Sequence, residues 1–276
     1  MQLIIPFSGV NLTDEHPFLK KGQFRNSGII ILHYSQKKRI FAPCFPPEHD
    51  RTKKQTTLTQ SIMQRIWDLF RSAIFAGVCI GIAGFGFLAG KQLGMILFIF
   101  GLATVVSYKL KLFTGTAGFV HWLKPAQDGT PVRPWQDYTD LLIILLGNIA
   151  GCLLVSLIAR CSPLPMGESA ETLLSARLAT GPLRCGALAI GCGILMTTAV
   201  NFARKSKEIG NWVPLLFAVP LFIHCGFPHC IADAFYYLTA PVAFLSANAG
   251  RIVLLYLCIV LGNFIGCNLY RAFIKE

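Results

Sequence analysis

The stretch Phe222–Asp233 reads Phe-Ile-His-Cys-Gly-Phe-Pro-His-Cys-Ile-Ala-Asp and sits inside a long apolar run. Two histidines and a carboxylate stand there among hydrophobic neighbours. A polar group without a partner in hydrocarbon costs several kcal/mol. An ionisable residue at membrane depth therefore marks a functional site. His229 is the side chain best suited to proton or hydrogen-bond exchange near neutral pH. It follows Pro228, which favours the first turn of a helix, so His229 belongs near a helix N-terminus. Asp233 lies four residues on, one helical turn away. It can accept from His229, or pair with Lys111 or with an arginine elsewhere. Thr114 offers a hydroxyl that can face the same imidazole or cap the half-helix starting near Gly115. His224-Cys225 and His229-Cys230 lack metal-ligand spacing, so no metal and no cofactor is expected. No nucleophile–base set or H-E-x-x-H is present, which argues against an enzyme.

The elements that must hold these residues are membrane helices. The chain of 276 residues is 54% hydrophobic and only 14% charged, with the apolar residues in uninterrupted blocks. Four uncharged stretches each fit one span: Ser72–Gly90, Leu141–Ala159, Cys185–Ala203 and Ile252–Tyr270. Two longer stretches, Gln92–Trp122 and Asn211–Gly250, are broken near their middles. The first carries Lys109 and Lys111, the second Pro220, Gly226, Pro228 and Asp233. Both read as discontinuous helices, with breaks at Leu112–Thr114 and Pro220–Pro228. Broken helices survive in a membrane where they line a cavity or are buried in protein. Thr59–Arg71 reads as an amphipathic interfacial helix carrying Ile62, Ile66, Leu69 and Phe70 on one face. Residues 1–58 form a polar, basic extension, with a short strand expected at Gly28–Tyr34. The membrane domain is taken as residues 59–276.

Six spans put both termini on one side. Lys124, Arg133, Arg204, Lys205, Lys207, Arg271 and Lys275 share that side with the basic N-terminal region. Lys91, Arg160, Arg177, Arg184 and Arg251 fall on the other. The positive-inside rule places both termini in the cytoplasm, in a plasma or inner membrane. The net charge of +12 suits loops facing anionic lipid. No basic–aromatic motif suggests nucleic acid. Most of the ten cysteines lie in or beside spans, where they act as small hydrophobes.

The chain also repeats. Gly147-Asn148-Ile149-Ala150-Gly151-Cys152 matches Gly262-Asn263-Phe264-Ile265-Gly266-Cys267. Thr114 precedes Asn148 by 34 residues, and His229 precedes Asn263 by 34. Three spans per copy is odd, so the copies are inverted. Inverted repeats with paired broken helices point to a transport site where the breaks meet.

These motifs resemble the formate/nitrite transporter family over about residues 60–272. Leu112-Phe113-Thr114-Gly115 is similar to its first break, Gly226-Phe227-Pro228-His229 to its second, and the Gly-Asn-x-x-Gly motifs fit as well. The resemblance implies an all-α membrane protein of six transmembrane helices. They form an inverted 3+3 repeat with two broken helices and an aquaporin-like outline. It implies a homopentamer in membrane lipid, each protomer with a pore for a small monovalent anion or its weak acid, such as formate, nitrite or hydrosulfide. His229 matches the central histidine and Thr114 the threonine facing it. Phe98, Leu102, Leu112, Phe113 and Phe222 match apolar constriction residues. Arg177 stands about one position from the basic vestibule residue. Lys111 replaces an acidic residue, Pro228 a glutamate, Asp233 an asparagine, and Gly191–Gly193 falls where the family has another asparagine. Lys111, Arg177 and Asp233 thus join His229 and Thr114 as substrate-binding candidates. The alternative function on the same hourglass plan is a neutral pore for water, glycerol or ammonia.

Overall fold

The structure is a computed structural model and describes residues 48–120, 134–205 and 208–273. The expected strand at Gly28–Tyr34 and the basic positions Lys124 and Arg133 lie outside them. Nine α-helices are described: α1 Glu48–Ala89, α2 Lys91–Ser107, α3 Phe113–Thr116, α4 Pro134–Ala159, α5 Met166–Thr180, α6 Pro182–Lys205, α7 Val213–His224, α8 Cys230–Thr239 and α9 Val242–Phe273. Among the described residues, four segments are long and apolar enough to cross a membrane: Thr59–Ala89, Trp135–Ala159, Pro182–Lys205 and Val242–Tyr270. The shorter apolar helices at Gln92–Ser107 and Ile209–His224 precede the two breaks. Fold class and the pair of broken helices follow the sequence reading.

Several boundaries differ from it, each for a local reason. Thr59–Arg71 is not a separate interfacial helix, because nothing interrupts the backbone between it and the first span; α1 runs through both. Pro220 does not begin the second break. It sits inside α7, as a proline in a membrane helix can. The sixth span starts at Val242, directly after Pro241, so Asn211–Gly250 holds α7, α8 and the first turns of α9. Arg251 is therefore inside a helix rather than in a loop, and its Nη2 donates to the Leu178 carbonyl of α5 at 3.4 Å. Helix α5 was hidden in the sequence by Pro163, Pro165 and its scattered charges. It buries Met166, Ala170, Leu174 and Leu178, a stripe at four-residue spacing.

The breaks span Tyr108–Leu112 and Cys225–His229, and they are built alike. At the end of α2, Leu110 N–H donates to the Val105 carbonyl and Lys109 N–H to that of Val106. At the end of α7, Phe227 N–H donates to Phe222 and Gly226 N–H to Ile223. This is the Schellman pattern, which needs a left-handed residue at its apex. Lys109 (φ 53) and Gly226 (φ 68) supply it. The chain then extends to Leu112 and His229, which cap α3 and α8.

The long helices pair through the Gly-Asn motifs. A Cβ at Gly151 would strike the Ile74 carbonyl of α1, and one at Gly266 would strike the Ile190 carbonyl of α6. Gly147 similarly meets Ala73, and Gly262 meets Ala189. The glycines thus let α4 lie directly on α1, and α9 on α6.

The two apex residues give a paired expectation. Lys109→Gly relieves a left-handed lysine, whereas Gly226→Ala imposes a left-handed Cβ in otherwise open space. Each change is worth on the order of 1 kcal/mol, with opposite sign. Thermal melting in detergent is expected to rise for the first and fall for the second. Shifts of the same sign would show that left-handed backbone strain does not set the stability of the two apexes.

Candidate functional site

A broken helix leaves peptide groups without intrahelical partners. Two buried asparagines take them up. Asn148 Oδ1 accepts from Phe113 N–H at 2.9 Å, while its Nδ2 donates to the carbonyls of Lys111 (2.9 Å) and Ala73 (2.8 Å). Asn263 repeats this: Oδ1 accepts from Cys230 N–H at 2.7 Å, and Nδ2 donates to Pro228 (3.0 Å) and Ala189 (2.9 Å). Both asparagines are fully buried. The thiols of the same motifs cross between repeats. Cys152 Sγ donates to the Ile231 carbonyl, and Cys267 Sγ to that of Thr114.

These contacts fix the true equivalence of the repeats. Lys111 matches Pro228, Leu112 matches His229, and Thr114 matches Ile231. The equal spacing that paired Thr114 with His229 in the sequence is two residues out of register. The hydroxyl and the imidazole nevertheless meet, because Thr114 stands in the first turn of α3 and leans across to the other repeat. Thr114 Oγ1 and His229 Nε2 are 2.9 Å apart, both residues buried. Thr114 does not cap α3; that position is Leu112.

His229 caps α8 with its own ring. Nδ1 accepts from Ala232 N–H at 3.2 Å, so the ring proton is carried by Nε2, which points at Thr114. Asp233 does not bond to the imidazole. Its Oδ2 lies 3.0 Å from Arg177 Nε, with the carboxylate side chain fully buried and the guanidinium side chain 15% exposed. Arg177 Nη1 also donates to the Gly226 carbonyl at 3.2 Å. One guanidinium thus ties α5 to both sides of the second break.

A cavity of about 350 Å³ leads to this place. Its wall includes Thr172 and Arg177 of α5, Phe222 of α7, and His229, Asp233 and Tyr236 of α8. The Phe222 ring lies 5.7 Å from the His229 ring, and Phe98 meets Phe222 edge-on at 5.9 Å. Phe98 and Phe222 are therefore brought to the histidine. Leu102, Leu112 and Phe113 are buried in the core near the breaks. Lys111 is not in the cavity wall. Its side chain is exposed, and the break uses only its backbone, with its N–H donating to Ser72 Oγ at 3.2 Å. Sequence reasoning used Asn148 and Asn263 only to mark a repeat. An amide side chain in an apolar span is itself the signal of a backbone to be satisfied.

Comparison with known proteins places this geometry in context. Residues 51–275 match the protein-family model described as Formate/nitrite transporter. The formate channel FocA of Haemophilus influenzae is 24% identical over 221 residues, covering 73% of this chain and 76% of that protein. A solved pentameric formate channel with formate bound superposes with a TM-score of 0.61 at 22% identity, covering 76% of this chain and 95% of the other. An FNT family ion channel gives 0.62 at 21% identity, covering 74% and 87%.

The asparagine brackets set the next expectation. Asn263→Ala strands the buried Cys230 N–H and the Pro228 carbonyl, at about 1–3 kcal/mol each, and removes the tie to Ala189 of α6. Asn248→Ala removes a single bond to Phe244 O in a half-buried place. In detergent melting, Asn263→Ala is expected to lose most or all folded protein, and Asn248→Ala very little. Comparable melting of the two would remove the bracket from its central place.

Proposed function

Because the chain belongs to the formate/nitrite transporter family, we propose that it carries a small monovalent anion or its conjugate weak acid past the Thr114–His229 contact. The family consists of membrane transporters rather than enzymes, and the chain is a multi-pass membrane protein. The substrate candidates are formate, nitrite and hydrosulfide; a similar protein is a formate channel. The observation that carries the reading is the hydrogen bond between the two breaks, placed beside Phe222 where the cavity reaches His229. Transport by a homopentamer with a pore in each protomer, and with both termini in the cytoplasm, is part of the same proposal.

The chemistry follows from what the residues can do. The packed rings of Phe98 and Phe222 exclude water, and an ion stripped of water there is costly. A substrate passing the rings needs donors in place of water. His229 Nε2–H is one. Thr114 Oγ1, which accepts from that N–H, retains its own hydroxyl proton to offer. Engaging a substrate exchanges the Thr114–His229 bond for bonds to the passing molecule, so the pair serves as a preformed and replaceable partner. The neutral ring suits this role, since a second ring proton would break the Ala232 contact.

Reconstituted protein is expected to raise uptake of formate, nitrite or hydrosulfide above protein-free vesicles while leaving glycerol unchanged. Replacing the donor pair by His229→Phe or Thr114→Val removes a buried hydrogen bond worth about 1–2 kcal/mol. Uptake is then expected to fall roughly tenfold, with assembly retained on size exclusion. Undiminished uptake by assembled His229→Phe would end this reading, and glycerol uptake would favour the neutral pore.

A further inference from the structure

Phe227 stands between two residues that fix its backbone. Gly226 before it is the left-handed apex of the second break (φ 68). Pro228 after it confines Phe227 to extended conformations. The Phe227 N–H donates to the Phe222 carbonyl at 2.9 Å. What remains free to move is the side chain. One side of the ring borders the same cavity as Phe222 and His229. The other rests on α6. A Cβ added at Gly191 would lie 2.6, 2.9 and 3.0 Å from three atoms of the Phe227 ring. Carbons in ordinary contact sit about 3.5–4.0 Å apart. The bare Cα of Gly191 is thus a seat for the ring. Gly193, two residues on, does a different job: it meets the α9 backbone at Asn263 and Cys267 and lets the helices pack.

The space beside the ring is the way to His229. The cavity of about 350 Å³ holds roughly ten water volumes, far more than a one-carbon ion fills. We infer that Gly191 and Phe227 together set the largest passenger that reaches His229. The seat on α6 keeps the ring out of the cavity, which leaves room for a three-carbon monocarboxylate beside formate. A methyl group at position 191 takes that seat. With its backbone held, the ring has to shift by about 1 Å to regain ordinary contact. The open space it borders is the cavity, so the shift is into the passage. A longer carboxylate is then excluded before formate is. Neither residue belongs to the Thr114–His229 donor pair, so the two select by size and leave the hydrogen bonding alone. The inference rests on the transport reading above and adds to it the pair that discriminates among passengers.

The test uses full-length protein in proteoliposomes, with labelled formate and lactate as probes and protein-free vesicles as the baseline. The two acids are of similar strength and differ in size. The readout is the lactate-to-formate uptake ratio within each preparation, which cancels differences in the amount of protein inserted and which a merely structural role would not move. Wild type is expected to move both. Gly191→Ala is expected to lower the ratio about tenfold, and Phe227→Ala to raise it; one methylene in a fitted pocket is worth at least that much. In the double variant the ring is gone, so Gly191→Ala should have no further effect and the ratio should equal that of Phe227→Ala. Gly250→Ala, exposed on α9 with nothing within 4 Å of its Cβ, is the control and should keep the wild-type ratio. The inference is overturned if assembled Gly191→Ala keeps the wild-type ratio, or if it lowers the ratio as much without the Phe227 ring as with it. Should Gly191→Ala fail to assemble, Phe227→Leu and Phe227→Ala decide. A ratio that climbs from Phe to Leu to Ala upholds the inference, and an unchanged one overturns it. Wild type that moves formate but no lactate overturns this inference only. Wild type that moves neither formate, nitrite, hydrosulfide nor lactate overturns the transport reading and this inference together.

Discussion

The constraint on which the structure depends is the demand of buried peptide groups for partners. Opening two helices inside an apolar body frees N–H and C=O groups that water cannot reach. The chain answers in three steps, used twice. A Schellman turn around Lys109 or Gly226 closes the first half-helix. An extended residue, Leu112 or His229, leads into the second. Asn148 or Asn263 then joins the start of that half-helix, the extended segment and a neighbouring long helix through one amide. The glycines beside each asparagine allow the close approach that puts the amide within reach.

The scaffold is symmetric, but the chemistry is not. At the capping position one repeat has leucine and the other histidine. Leu112 offers no side-chain cap, while His229 caps α8 through Nδ1 and keeps Nε2 for Thr114. The charged pair likewise belongs to one repeat. Arg177 comes from α5, a helix between the two copies, and reaches the second break only. The repeat gives two breaks of the same shape. Departures from the repeat give a donor on one side and an acceptor on the other.

Much of this was legible in the sequence, and the rest was not for physical reasons. Uninterrupted apolar blocks marked the spans because hydrocarbon imposes length and composition on a helix. Gly226 and Pro228 marked the second break because both residues limit the backbone. The first break was placed four residues too late, since its apex is Lys109, and lysine does not advertise a left-handed conformation. The Thr114–His229 contact was implied by the family resemblance, whereas the equal spacing that made the two residues repeat mates is two residues out of register. The segments converge in space even though the residues are not symmetry mates. An arginine was among the partners the sequence allowed Asp233, but Arg177 could not be singled out, because it lies on a helix that the sequence pattern did not disclose.

The cross-links between repeats explain how a hydroxyl and an imidazole so far apart in sequence are held within one hydrogen bond. The carbonyl of Thr114 itself is taken by the Cys267 thiol of α9, and the carbonyl of Ile231, two residues after His229, by the Cys152 thiol of α4. Each thiol belongs to the motif whose asparagine brackets the opposite half-helix. A shift of α9 would therefore disturb the bracket on α8 and the hold on Thr114 at once. The same reasoning applies to α4, Phe113 and the backbone of α8. A site assembled from two repeats is thus positioned by helices that each grip both, so the donor and its partner move with the scaffold rather than independently of it.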